Sequence, residues 1–159
     1  MAQQSNDGTA GETAKQRADR RYNELLQELR VAQTGVQFLF AFLLALAFAP
    51  RFTEVTDFQK WLYVATLLAT SAASALLIGP VPLHRILFRR GLKPQLVRGA
   101  DLMARGGLAV LLLAINGAVL LILDVVLGGA VAVVLSAVSA GWFVVIWYVV
   151  PLTARERDN

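Results

Sequence analysis

Few side chains in this sequence combine the types and spacing that chemistry needs. His84 is the only histidine, and Arg85, Arg89, Arg90 and Lys93 follow it closely. Such a cluster suits anionic headgroups, each basic group contributing about 1 kcal/mol near a membrane surface. The imidazole adds a group that titrates near neutral pH. Asp124 is the one carboxylate in the apolar stretch from Gly106 to Val150, and a carboxylate deep in lipid is a natural ligand for a proton or cation. Gln33 and Gln37, one helical turn apart, and Asn116 supply amides that could line a polar path with it. Other chemistry is missing. The 159 residues include no cysteine and no second histidine, and neither H-E-x-x-H nor G-x-S-x-G occurs. Disulfides, thiolate nucleophiles and the common zinc-hydrolase and serine-hydrolase templates are thereby excluded. The expectation is a protein that is not an enzyme and uses no cofactor or metal.

Apolar helices must position these groups. The chain is 57% hydrophobic and 16% charged, against roughly 25% charged in ordinary globular proteins. A soluble domain of this size could not cover so much apolar surface. The net charge of +4 would point to nucleic acid in a soluble protein; here the placement of the charges matters more than their sum, and no nucleic-acid partner is expected. A first apolar span covers 31–49 and ends at Pro50; a second covers 61–78 and ends at Gly79-Pro80. The stretch from Gly106 to Val150 is too long for one crossing, because ~20 residues already span the hydrocarbon core. Its natural break is "LDVVLGGA", where Asp124 is costly in lipid and Gly128-Gly129 permits a tight reversal. This gives spans at 106–123 and 130–150. A backbone in lipid must satisfy its own hydrogen bonds, and strand-like alternation is absent, so all four spans are predicted to be helices. The fold class is therefore all-α: a polytopic membrane protein whose residues 31–150 form a four-helix transmembrane domain. "ALAFAP" loosely resembles a signal-peptide cleavage site, but thirty largely polar residues precede the apolar run, so a retained span is expected.

Lys and Arg set the orientation. Residues 1–30 hold five, the loop after the first span two, the next loop six, the third none and the 151–159 tail two. Thirteen therefore lie on one side and two on the other. By the positive-inside rule, both termini and the second loop are cytoplasmic, in a multi-pass protein of the cell's plasma (inner) membrane. Trp61 and Tyr63 at one end, and Trp142, Trp147 and Tyr148 at the other, fit interfacial aromatic belts.

The flanks are amphipathic. Residues 1–12 have the small, polar composition of a disordered tail. From residue 13 to 30, Tyr22, Leu25, Leu26 and Leu29 recur at helical spacing, with charged residues on the other faces and Arg20 placed to pair with Glu24. An amphipathic helix along the inner surface or packed under the bundle is predicted. In "PQLVRGADLMARGG", before the third span, Asp101 lies between Arg98 and Arg105 and neutralises its own face. Pro80 and Pro82 mark where the second helix surfaces, and "LHRILFRR" suits a short interfacial helix with Arg85 and Arg89 snorkelling outward. The simpler reading of His84 and its basic neighbours is a topology signal with generic lipid attraction; a proton-responsive headgroup pocket is the sharper one. Thr66, Thr70, Ser71, Ser74, Ser136 and Ser139, with alanines at four-residue spacing, favour helix packing over transport.

"ELLQELRVAQTGVQFLFAFLLALAFAPRF", "GPVPLHRILFRR" and "KPQLV" together resemble a family of small four-span bacterial membrane proteins of actinobacterial type, domain of unknown function 6328, over about residues 22 to 150. The resemblance implies the span count and no mechanism; some similar sequences are labelled sodium:proton antiporter. The functional expectation is a membrane protein without enzymatic activity whose basic cytoplasmic face contacts anionic lipids or a partner, with a homo-oligomer or a larger membrane complex left open. The alternative is a small cation/proton transporter that uses Asp124, Asn116 and Gln37.

Overall fold

A computed structural model describes residues 14–82, 93–149 and 153. Among the described residues four α-helices follow one another: α1 (Ala14–Leu46), α2 (Asp57–Ile78), α3 (Lys93–Val126) and α4 (Gly129–Val144). A 3-10 turn, Pro50–Glu54, links α1 to α2, and a π-helical turn, Val145–Val149, prolongs α4. Four segments, Tyr22–Leu46, Asp57–Pro82, Gly99–Val126 and Gly129–Val149, are long and apolar enough to cross a bilayer. No strand occurs among the described residues. Large apolar side chains point outward, Phe38 at 74% and Phe48 at 88% exposure, an arrangement suited to lipid and not to water. This is an all-α, multi-pass membrane protein.

The two expected reversals have clear local causes. Gly128 and Gly129 both take positive φ, +70° and +58°, a conformation in which a Cβ is costly, and α3 turns directly into α4. At the start of α2, Thr56 and Gln59 form a reciprocal cap. The Gln59 amide N–H donates to Thr56 Oγ1 at 3.3 Å, and the Thr56 N–H donates to Gln59 Oε1 at 3.0 Å. This cap starts the helix at Asp57, four residues before the predicted second span. "TDFQ" carries the sequence signature of such a cap.

The amphipathic stretch and the first span are one uninterrupted helix. On α1 the buried residues Tyr22, Leu29, Val36 and Leu43 lie seven apart, so the stripe on the polar flank is in phase with the stripe inside the membrane. That phase match turns the flank toward its neighbours and not onto the lipid surface; of the two predicted placements, packing against the bundle is the one adopted. Likewise α3 absorbs the stretch before the third span, and its buried Ala100, Ala104, Gly107, Leu111, Ala114, Ala118 and Leu121 keep alternating four- and three-residue steps. Such seven-residue spacing is the seam of left-handed helix packing. With 33 and 34 residues, α1 and α3 are each about 50 Å long, against ~30 Å of hydrocarbon.

The core is a three-helix unit of α1, α2 and α3, in which the α2–α3 pairing is the most extensive. Leu29, Val36, Ala73, Leu77, Ala104 and Leu111 fill it toward the end where α1 and α3 begin and α2 finishes. Leu43, Tyr63 and Leu121 fill the opposite end. Tyr63 is thus a core residue at 7% exposure, not part of an aromatic belt. Its hydroxyl donates to Leu43 O at 3.1 Å, and Phe52 meets its ring edge-on at 4.8 Å. α4 packs mainly on α3, and its fully buried residues are Ala132 and Ser136, both near its start.

Candidate functional site

His84, Arg85, Arg89 and Arg90 lie outside the described residues, and Lys93 opens α3. What the structure defines is the frame on either side of that basic segment. Tyr22 on α1 donates its hydroxyl to Pro80 O, just past α2, and is buried with Ala100 on α3. One aromatic side chain therefore ties together the helices from which the basic segment leaves and to which it returns. At Gly79, a built Cβ would stand 3.0 Å from Met103 Sδ, so the exit from α2 lies close against α3. Of the predicted self-neutralising face, the Arg105 half is seen, in a two-point contact with Asp101 at 2.9 and 3.1 Å; the Arg98 side chain lies outside the described residues. At the opposite end Lys60 pairs with Asp57 at 3.2 Å, with both side chains exposed.

The four polar residues predicted within the spans do not converge. Gln33 Nε2 donates to Leu77 O at 2.7 Å, linking α1 to the last turn of α2. Asp124 Oδ2 accepts from Gln59 Nε2 at 2.9 Å, linking the last turn of α3 to the first of α2. Eighteen residues of α2 separate Leu77 from Gln59, so these two contacts are about 27 Å apart along the helix. Gln37 is exposed and makes no hydrogen bond among the described residues. Asn116 turns back on its own helix, Nδ2 donating to Leu112 O at 2.9 Å, while its Oδ1 is buried without a partner. Thr66 and Thr70 also spend their hydroxyls on their own helix, donating at 2.7 Å to Leu62 O and Thr66 O. Between α3 and α4, Ser136 Oγ donates to Asn116 O at 3.5 Å. Only Gln33, Asp124 and Ser136 of these groups fasten one helix to another. Among the described residues no three His, Asp or Glu side chains are grouped to hold a metal.

Gln59 is the residue that sequence reasoning missed. It lies just before the predicted second span, yet it is buried and serves both the α2 cap and the Asp124 carboxylate. A second feature visible only in three dimensions is a cleft of about 690 Å³ between α3 and the π turn.

The fold and these contacts define a four-span helical membrane protein. The chain belongs to the family of unknown function DUF6328, which matches residues 11–151. Searches of curated proteins and of solved structures return no match.

Proposed function

We propose that this is a plasma-membrane protein without enzymatic activity whose basic end faces the cytoplasm and binds anionic lipid headgroups. One observation carries the reading. α1 and α3 outrun the hydrocarbon thickness, and thirteen of the fifteen Lys and Arg fall in residues 1–30, 85–105 and 151–159 of the sequence, stretches that an even number of crossings would bring to one side. A basic cluster beside a span is attracted to an anionic leaflet, and Tyr22 fastens α1 to Pro80, four residues before that cluster begins in the sequence. Reversing Arg85, Arg89 and Arg90 to Glu removes three such contributions, about 3 kcal/mol, so retention of anionic lipid by the purified full chain falls more than a hundredfold. Lipid analysis of the inserted variant checks this, and unchanged retention overturns the lipid reading.

Orientation has its own test, which the absence of native cysteine makes simple. A membrane-impermeant maleimide labels Thr53→Cys in intact cells, whereas Gln16→Cys reacts only after the membrane is opened. The reverse pattern inverts the topology.

A further inference from the structure

We propose that the cleft between α3 and the end of α4 is a binding site for one acyl chain of an anionic phospholipid, with its phosphate at Arg105. The inference deepens the lipid reading above and rests on it. α4 is fully buried only at Ala132 and Ser136, and its last turns are not fully buried against α3. The gap between them, about 690 Å³, has Leu108 and Ala109 on one wall and Ile146 on the other. That volume lies within the usual range of ligand pockets. Its polar edge is built from donors. Arg105 lines the cleft and gives Nε and one Nη to Asp101, which leaves further guanidinium N–H groups of its five for an acceptor. Trp147 and Tyr148 also line it, and neither the indole N–H nor the phenol makes a hydrogen bond among the described residues. Phe143 meets the Trp147 ring edge-on at 5.6 Å and fixes its plane. Donors without a partner among the described residues, beside an apolar groove, suit a ligand with acceptor oxygens at one end and hydrocarbon at the other. Arg105 lies in the first turns of α3, at the end that the lipid reading makes basic and where an anionic headgroup would be concentrated. The π turn is a further pointer, since such turns are frequent at functional sites.

Trp147 reports occupancy directly. In the full chain carrying Trp61→Phe and Trp142→Phe it is the only indole, and brominated acyl chains quench its fluorescence on contact. In phosphatidylcholine vesicles, brominated phosphatidylglycerol should quench Trp147 saturably at low mole fraction, ahead of brominated phosphatidylcholine. Arg105→Gln should weaken that preference about fivefold, the equivalent of about 1 kcal/mol for one basic group. Ala109→Phe should abolish saturation by filling the groove; Arg105→Gln, at an exposed position, keeps the test standing if that variant does not insert. Equal, non-saturating quenching by both lipids, unchanged in Arg105→Gln, would mean bulk lipid and overturn the site. No quenching by either would mean that a second copy or another part of the chain covers the cleft, and would overturn it too. Failure here is separable from failure of the basic-end reading. The Arg85, Arg89 and Arg90 reversal reads total anionic-lipid retention, whereas Trp147 reads the cleft alone.

Discussion

Gly117→Val is expected to destabilise the helix bundle by about 1–3 kcal/mol, the usual cost of overpacking a filled core. A Cβ on Gly117 would lie 2.4 Å from Thr66 Oγ1. The hydroxyl cannot easily retreat, because Thr66 is 2% exposed, its Oγ1 donates to Leu62 O, and β-branched side chains have few helical rotamers. The contact lies midway along α2–α3, the most extensive helix pairing. Two companion variants isolate the cause. At Gly35 nothing lies within 4 Å of a built Cβ, so Gly35→Ala should be neutral or stabilising, as for any glycine inside a helix. Thr66→Ala removes the obstructing oxygen and should restore much of what Gly117→Ala loses, a coupling of about 0.5–3 kcal/mol. Thermal unfolding in mild detergent measures all four. If Gly117→Val melts with the native protein, α2 and α3 do not approach this closely.

Gln59→Leu should cost about 2–4 kcal/mol in the same assay, combining a hydrogen bond to a charged group with a helix cap. The amide nitrogen of Gln59 serves Asp124 and its oxygen serves the Thr56 N–H, so leucine orphans both at once. Asp124→Asn should be much milder, because asparagine still offers an acceptor oxygen to Gln59. The order of the two variants is diagnostic. A fastening role for Asp124 makes Gln59→Leu the worse one; a stability loss confined to Asp124→Asn would show that the carboxylate is held by something other than this contact.

The four spans were legible in the sequence because lipid imposes a length and a composition that few other structures share. Gly128-Gly129 was legible as a reversal because nothing else in that apolar run could turn. Three features were not. The fusion of the amphipathic flank with the first span depends on the phase of Tyr22 and Leu29 against Val36 and Leu43, which emerges only when the stripes are compared across the supposed boundary. The role of Gln59 was signalled by "TDFQ", but its second bond, to Asp124, joins residues 65 apart. Gln33, Gln37, Asn116 and Asp124 shared polarity and nothing else. Hydropathy does not report which way each faces or how far apart neighbouring helices hold them. The cleft beside Trp147 depends on how α4 lies against α3, a relation that neither helix encodes alone.

Having no hinge between Gln16 and Leu46, α1 behaves as a stiff rod fixed at two heights, by Tyr22 at one and Leu43 at the other. A rod clamped in this way cannot tilt or rotate at one end without carrying the other along. A displacement of the solvent-side turns therefore meets one unbroken helical backbone reaching toward the far leaflet.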